Sequence, residues 1–333
     1  MANPLHHHSR LSVAPMMDWT DRHCRFLHRQ FSREALLYTE MVTAPALVRG
    51  EALHLLDHSP EEHPVALQLG GSDPEELARA AELGQVAGYQ EINLNVGCPS
   101  DRVQSGTFGA ILMHDPGLVA ACCAAMRARV TVDVTVKCRI GVDDQVPEEV
   151  LPDFLARVAD IGVDRFIIHA RKAWLKGLSP KENREIPPLN YDLVERMKAQ
   201  FPKLHISING GIGTLDEAEA LLNRGFDGVM LGRAAYHQPA EILSAADSRI
   251  FGMNGEVRRA EDVVRDMLPY IDDHLVQGGK LHQITRHMLG LFAGRPGARA
   301  WRRFLSEGAT RAGAGTELVL AALAEVEMAR VSA

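Results

Sequence analysis

The feature that most constrains the fold is a regular alternation of short apolar runs with segments of helical spacing. Eight such runs have the character of buried strands, and strands that alternate with helices form parallel βα units. Together the units cover about 240 residues, close to the ~250 typical of a closed (β/α)8 barrel. The predicted strands are Leu11–Pro15, Leu36–Thr39, Pro64–Leu69, Glu91–Leu94, Val132–Val136, Arg165–Ile168, His205–Ile208 and Gly228–Leu231.

The segments between these strands carry helix signals. Pro74–Gly84 starts with a proline and ends in a glycine, as helices often do. A doubly wound open sheet is the alternative architecture, but no G-x-G-x-x-G follows the first strand. The other predicted helices are Pro116–Arg129, Val150–Ile161, Tyr191–Ala199 and Leu215–Arg224.

The pattern changes after about residue 245. From Arg258 to Met328 the chain has helical spacing, with glycine breaks at residues 278–279, 294–297 and 313–315. We therefore predict a TIM-barrel catalytic domain over residues 1–245 and a C-terminal all-helical domain over residues 246–333.

Composition narrows the class of protein. The chain is 46% hydrophobic and 24% charged, as in ordinary soluble globular proteins. Its net charge of −7 argues against nucleic-acid binding unless a local basic patch overrides it. An odd set of five cysteines, two of them adjacent, does not form a disulfide framework, so a cytoplasmic location is expected. No signal peptide, membrane-spanning run or metal-ligand spacing is evident, and without an interface pattern we expect a monomer.

Cys98 is the strongest single candidate for chemistry. It follows the fourth strand, between Gly97 and Pro99, with Asn93 and Asn95 nearby. A cysteine that only fills the core more often lies inside an apolar run. A nucleophilic pair of Cys98 with His169 also stays open.

Glycines after the last two strands indicate a phosphate site. Gly210 and Gly211 follow the seventh strand, and Gly232 precedes Arg233 after the eighth. The corresponding loops are the usual phosphate site of this barrel, and glycine lets the backbone approach closely. The alternative to a phosphate site is that these glycines only permit two tight turns.

Other strand ends favour a flavin mononucleotide (FMN). Gln68 can pair with a ring edge that carries donors and acceptors, and Lys137 can stabilise negative charge on a reduced ring. Met16 and Met17 can pack on a ring face. Alternatively, Lys137 forms an ion pair with a neighbouring carboxylate. His169, in the same way, would be a core histidine that caps its own loop.

Two basic segments stand out in an acidic protein. Residues 280–306 hold six Lys or Arg and no Asp or Glu, and Arg299, Arg302 and Arg303 can share one helix face. The loop after the sixth strand holds a second set around Trp174, which includes Lys181 and Arg184. Basic and aromatic side chains beside a catalytic mouth suggest an RNA backbone, although a solvated surface is the alternative.

These motifs resemble those of the tRNA-dihydrouridine synthases over nearly the whole chain. The matching segments are residues 14–22, Asn95–Pro99, Lys137–Gly141, Asn209–Gly211 and Leu231–Arg233. The segment His169–Arg184 is similar to branch A of that family.

The resemblance implies an FMN barrel with a helical tRNA-binding domain. NADPH (or NADH) would reduce FMN, hydride would pass to C6 of a uracil, and Cys98 would protonate C5. Branch A implies uridines 20 and 20a of the tRNA D-loop. The implied FMN residues are Pro15, Met16, Met17, Gln68, Lys137, His169, Asn209, Gly210, Gly211, Gly232 and Arg233. The positions assigned to tRNA are Asn95, Arg139, Lys181, Arg184, Arg299 and Arg302.

Two other functions remain open at this point. One is an FMN oxidoreductase that acts on a free pyrimidine, as dihydroorotate-type enzymes do, which would leave the helical domain without a purpose. The other is an RNA-binding protein that kept the barrel without its activity.

Overall fold

The computed structural model of the chain describes residues 4–100 and 108–331. Within these residues, eight parallel strands pair in the order β1-β8-β7-β6-β5-β4-β3-β2. A bridge between Ser12 and Leu36 joins the two end strands, so the predicted barrel closes. The strands are β1 (Leu11–Val13), β2 (Leu37–Thr43), β3 (Val65–Gly70), β4 (Glu91–Val96), β5 (Asp133–Arg139), β6 (Arg165–His169), β7 (His205–Asn209) and β8 (Gly228–Leu231).

Several strands extend further than the sequence predicts. Asn95, Lys137 and His169 lie within β4, β5 and β6 rather than in the loops that follow. Their side chains are polar, so the apolar pattern ends before the backbone pairing does. The consequence is that these site residues stand on the rigid sheet.

Helices surround the barrel, and most start at a side-chain cap. Asp73, Asp115, Asn190 and Thr214 each accept a hydrogen bond from the first turn of the helix that follows. The helices of this part are α1 (Pro4–His8), α2 (Arg22–Phe31), α3 (Ala44–Val48), α4 (Pro74–Val86), α5 (Pro116–Arg129), α6 (Pro147–Asp160), α7 (Tyr191–Gln200), α8 (Leu215–Asn223), α9 (Arg233–His237), α10 (Pro239–Leu243) and α11 (Ala246–Arg249).

Helix α2 is missing from the predicted set for a physical reason. It buries Arg25, His28 and Arg29 along with Cys24, Leu27 and Phe31, so half of its buried positions are basic and the sequence does not reveal an apolar face. Arg25 pairs with the buried carboxylate of Glu62 at 2.6 Å, and Arg29 donates to backbone carbonyls. These basic side chains can be buried only because tertiary contacts supply their hydrogen-bond and ion-pair partners.

Two apolar layers stabilise the barrel. Outward-facing strand residues such as Leu67, Ile92 and Val136 are buried against the helices. Inside the barrel lies a smaller cluster of Ala14, Leu36, Tyr38, Ala66, Ile167 and Met230. Strand residues therefore alternate between the layer that faces the helices and the layer inside the barrel, as in a barrel whose interior is packed with side chains.

The C-terminal helices pack on one another and on the barrel. The fully buried Trp301 donates from Nε1 to the Met288 carbonyl at 2.9 Å, and α13 lies against α2. The glycine breaks separate the helices as predicted. These helices are α12 (Ala260–Val276), α13 (Leu281–Met288), α14 (Ala298–Gly308) and α15 (Thr316–Val331).

The predicted domain boundary falls between α10 and α11 and stays a prediction. Helix α11 contacts the barrel, because Asp247 accepts hydrogen bonds from the Arg33 and Glu34 backbone amides. Across residues 4–100 and 108–331, no helix has the length and apolar character needed to span a membrane.

Candidate functional site

Cys98 lies at the carboxyl end of the barrel, two residues beyond β4. Its side chain is partly exposed, and Sγ is 3.4 Å from the Ser100 hydroxyl. The Oδ1 atom of Asn95 accepts hydrogen bonds from the amides of Gly97 (3.1 Å) and Cys98 (3.0 Å), and the Cys98 carbonyl accepts one from Ala110 at 2.9 Å. The backbone around this thiol is therefore held on both sides.

Lys137 and His169 lie on neighbouring strands of the same mouth. Asn95 is opposite Lys137 in the sheet register, and His169 is opposite Asn209. Burial, with a smaller contribution from Arg139, lowers the pKa of Lys137 to about 8. Burial and the charges of Arg139 and Lys137 hold the pKa of His169 well below its usual range, so its imidazole is neutral at pH 7. Among the described residues, no carboxylate forms an ion pair with either side chain.

Arg139 lies beneath the mouth rather than on its surface. Its side chain is 3% exposed. Its Nε donates to the Gly97 carbonyl at 3.1 Å, and its Nη1 donates to the carbonyls of Lys172 (3.2 Å) and Asn183 (3.0 Å). Arg139 thus joins the Cys98 loop to the loop after β6. The predicted tRNA contact of Arg139 stays a prediction, but this burial favours a structural role.

Gln68 is buried inside the barrel mouth, at 1% exposure. Its Nε2 donates to Asn93 and its Oε1 accepts from Asn95, both at 2.8 Å. One N–H and one acceptor position of the amide remain for a ligand. Asn209 donates to the Met230 carbonyl at 2.8 Å, which orients its side chain across to β8.

The glycine loops after β7 and β8 approach the mouth closely. Gly210 (φ 112°) and Gly211 (φ 75°) have backbone conformations that favour glycine. A Cβ on Gly210 would lie 2.6 Å from the His169 ring. A Cβ on Gly232 would meet Ala14 and Met16 at 3.6 Å, which brings β8 beside the loop after β1.

Not every group of these loops is available to a ligand. The amide of Gly213, two residues beyond Gly211, donates to Glu217 at 2.6 Å. Arg233 pairs with Glu185 at 2.6 Å. After β1, Met16 donates its amide to Thr20 at 2.9 Å, and the neighbouring Met17 side chain is 52% exposed beside Pro15.

The loop after β6 forms a basic rim over the mouth. Its buried residue Asn183 donates to the Trp174 carbonyl (2.8 Å) and accepts from the Trp174 amide (2.7 Å). Lys172 lies 5.2 Å from the centre of the Trp174 ring. Lys181 and Arg184 are exposed on this loop, and Arg299 and Arg302 are exposed on α14. The exposed members of the predicted tRNA set thus belong to two separate elements, whereas Asn95 and Arg139 are buried on β4 and β5.

Charge is unevenly distributed around the mouth. Lys137, Arg139, Arg171 and Arg184 all lie close enough to His169 to affect its protonation. The carboxylates of Asp18 and Asp21, after β1, group with that of Glu40 in β2. Burial, followed by the charge of Asp21, raises the pKa of Glu40. The β5–β8 side can therefore hold an anionic ligand.

Some residues of this site were not identified from the sequence. Glu40 carries a raised pKa at the mouth, and Glu91 and Thr135 join Asn93 in a hydrogen-bonded row below Gln68. Their only sequence signal is a polar side chain inside an apolar strand. No group of His, Cys, Asp and Glu able to hold a metal ion occurs in residues 4–100 and 108–331.

Comparison with known proteins agrees with this arrangement. The solved structure of an old yellow enzyme homologue from Zymomonas mobilis aligns with a TM-score of 0.53 at 12% identity. It covers 76% of this chain and 91% of that one, and at this identity it supports the barrel fold alone.

Two curated relatives carry the name tRNA-dihydrouridine(20/20a) synthase. The protein from Vibrio cholerae is 57% identical over 321 residues, which are 96% of this chain and 97% of that protein. The protein from Escherichia coli is 58% identical over 320 residues, which are 96% and 92% of the two chains. The sequence profile described as dihydrouridine synthase matches residues 12–327. The chain therefore belongs to the dihydrouridine synthase family.

Proposed function

We propose that this protein reduces the C5–C6 double bond of uridines 20 and 20a in the D-loop of tRNA to dihydrouridine. The single observation that carries the proposal is the full-length similarity to relatives named for this activity, at 57–58% identity. The anion-binding mouth with a thiol inside it supplies the chemistry that such a reaction needs. A cytoplasmic location and a monomeric state stay predictions.

The residues at the mouth fit FMN. The amine of Lys137 has no carboxylate partner in the described chain, and the imidazole of His169 faces several cations. A Cβ on Gly210 or Gly211 would collide with His169 or Leu189, so these loops need glycine to lie beside the mouth, and the loops after β7 and β8 are the usual phosphate site of this barrel. When bound, FMN would accept electrons from NADPH and supply hydride to C6 of the uracil.

The proposed role of Cys98 is to deliver a proton to C5 while hydride adds to C6. Hydride and proton together saturate the bond, and NADPH becomes NADP⁺. The Asn95 side chain holds the amide of Cys98 in place, and a fixed donor suits general acid catalysis. A cation at the mouth, such as Lys137 or Arg139, would stabilise the negative charge that develops on the uracil ring.

The distribution of unpaired cations supports a tRNA surface. Most surface arginines elsewhere pair with carboxylates, as Arg224 does with Asp192 and Glu195. In contrast, Lys181, Arg184, Arg299 and Arg302 form no ion pair with the described residues. A uracil inside a duplex or stack must be extruded to enter such a mouth, and phosphate contacts on a basic rim would hold the strand during that step.

The deciding experiment is nucleoside mass spectrometry of tRNA from cells that lack the activity, after incubation with this protein, FMN and NADPH. We expect dihydrouridine confined to the D-loop. No product from a flavin-loaded, NADPH-oxidising protein would overturn the proposal, and turnover of free uridine or orotate would favour the free-pyrimidine enzyme. A protein that binds tRNA but no flavin would be the inactive RNA binder.

The thiol role predicts that Cys98→Ala slows product formation by roughly 10²–10⁴-fold, the usual contribution of a general acid. Binding of FMN and tRNA should persist, because the Asn95 contact uses the Cys98 backbone. Cys122→Ala is the matched control, since Cys122 lies on α5 with Sγ 3.6 Å from the Ser72 carbonyl. Full activity of Cys98→Ala in single-turnover assays would reject the role.

A further inference from the structure

A row of polar side chains crosses the barrel interior from its lower end to the mouth. All its members are at most 8% exposed. They come from four neighbouring strands, β3 to β6, whose interior faces bring them together. In order they are Arg165, Glu91, Thr135, Asn93, Gln68 and Asn95.

Hydrogen bonds connect the row without a gap. At its base, Arg165 Nη1 donates to Glu91 Oε2, and the Tyr38 hydroxyl donates to Oε1 at 2.7 Å. Thr135 donates to Glu91 Oε1 at 2.5 Å and accepts from Asn93 Nδ2 at 2.8 Å.

The upper half continues to the Cys98 loop. Asn93 Oδ1 accepts from Gln68 Nε2, and Gln68 Oε1 accepts from Asn95 Nδ2, each at 2.8 Å. Asn95 Oδ1 then accepts from the amides of Gly97 and Cys98.

The two ends of the row determine the direction of every bond between them. A carboxylate paired with a guanidinium only accepts, so the Thr135 hydroxyl must donate to Glu91 and accept from Asn93. Backbone amides only donate, so the oxygen of Asn95 must face Gly97 and Cys98. Both constraints give the same orientation to the Gln68 amide, with its nitrogen toward Asn93 and its oxygen toward Asn95.

This orientation has a chemical consequence at the mouth. Gln68 keeps one N–H and one acceptor position for a ligand. If its amide were reversed, the donor and the acceptor would exchange places. A ring edge with an ordered pattern of donors and acceptors would then meet the wrong partner, at the cost of an unmade hydrogen bond.

We propose that the Glu91–Arg165 pair, acting through Thr135 and Asn93, sets the orientation in which the Gln68 amide meets bound flavin, together with the Gly97 and Cys98 amides, which act through Asn95. The inference depends on the FMN site of the proposed function. Glu91, Thr135 and Asn93 are accordingly positioning residues, because they act on the ligand through Gln68. The row also explains why a charged pair lies inside the barrel, since the pair is one end of a connected polar network.

The test is Thr135→Val, which keeps the shape of the side chain and removes the hydroxyl that fixes the Asn93 amide. Asn93 can then turn its nitrogen toward that of Gln68, while Asn95 still holds the Gln68 oxygen. We expect the visible absorption bands of bound FMN to shift and its dissociation constant to increase about tenfold, the effect of one misaligned hydrogen bond. Thr135→Ser restores the hydroxyl and should restore both values.

Ser207→Ala is the matched control, because Ser207 is 1% exposed inside the same barrel but lies outside the row. It should leave the spectrum and the affinity unchanged. If Thr135→Val does not fold, the double variant Glu91→Gln with Arg165→Met removes the fixed acceptor and should give the same spectral shift.

The possible outcomes distinguish a failure of this inference from a failure of the proposed function. An unchanged FMN spectrum and affinity in Thr135→Val, or equal changes in Ser207→Ala, would overturn the positioning role. A wild-type protein that binds no FMN would instead overturn the proposed function.

Discussion

At the scale of single residues, the environment rather than the residue type decides the role. Lys137 and Arg139 are two residues apart on β5, and both lie close to His169. The Lys137 amine has no carboxylate partner among the described residues, whereas the Arg139 guanidinium donates to three backbone carbonyls. The first suits an anionic ligand, and the second links two loops.

The lowered pKa of Lys137 predicts how FMN affinity depends on pH. Above about pH 8 the amine of the ligand-free protein is neutral, so binding an anion there requires uptake of a proton. The FMN dissociation constant should therefore increase above pH 8, by up to about tenfold per pH unit. Fluorescence titrations from pH 6.5 to 9.5 would measure this.

Lys137→Arg is the control for this pH dependence, since a guanidinium stays charged over that range. It should retain affinity with a flatter profile. Identical profiles for the wild type and Lys137→Arg would show that another group titrates.

At the scale of elements, Asp21 joins the barrel to the helical domain. It caps α2 by accepting from the Cys24 amide at 3.0 Å. Its other contacts are Arg286 at 2.5 Å and His287 at 3.0 Å, both on α13. Despite burial, which opposes the shift, His287, the Cys24 amide and Arg286 hold the pKa of Asp21 well below its usual range. The Asp21 carboxylate thus caps the start of α2 and also holds the neighbouring helix α13 against it.

We expect Asp21→Asn to lower the free energy of unfolding by about 1.5–3 kcal/mol at pH 7, the range for hydrogen bonds to charged groups. Asparagine still caps a helix, so α2 should be retained, whereas Asp21→Ala should cost about 1 kcal/mol more. Urea unfolding followed by circular dichroism would measure both values.

The same change has a defined pH dependence. Because the folded-state pKa is depressed, the contribution of Asp21 is complete above the unfolded pKa of ~3.9 and is lost as pH falls below it. The stability difference between wild type and Asp21→Asn should therefore shrink below about pH 4. A constant difference would mean that charge is not the cause.

At the scale of the whole molecule, an acidic protein carries exposed, unpaired cations on two of its elements that the sequence assigns to tRNA. The net charge is −7, yet the loop after β6 and the exposed face of α14 carry Lys181, Arg184, Arg299 and Arg302 without carboxylate partners in the described residues. Arginines such as Arg224 and Arg249 are neutralised locally. These cations would attract a polyanion despite the negative net charge of the protein.

Salt dependence tests that surface. Affinity for tRNA should fall steeply with ionic strength, and Arg299→Gln or Arg302→Gln should each lessen the log–log slope by roughly 0.7–0.9. Arg224→Gln is the control, because its charge is already paired, and it should leave the slope unchanged. If none of these variants altered the slope, tRNA would bind to a different surface of the protein.

The sequence by itself determined only those features that a few neighbouring residues encode. Strand and helix alternation, the glycines that break the C-terminal helices, and the candidates Cys98, Lys137 and Gly210 follow from local periodicity and backbone freedom. Family motifs added the expected cofactor and substrate, and family membership is confirmed.

Only the tertiary structure decided which side chains meet. Asp21 and Arg286 are 265 residues apart in sequence, and Arg165 is 74 residues from Glu91. The burial of Arg139 and the basic face hidden in α2 could not be foreseen, because both depend on carbonyls supplied by distant loops. Hydrogen-bond partners and burial are properties of the closed barrel, and no short stretch of sequence contains them.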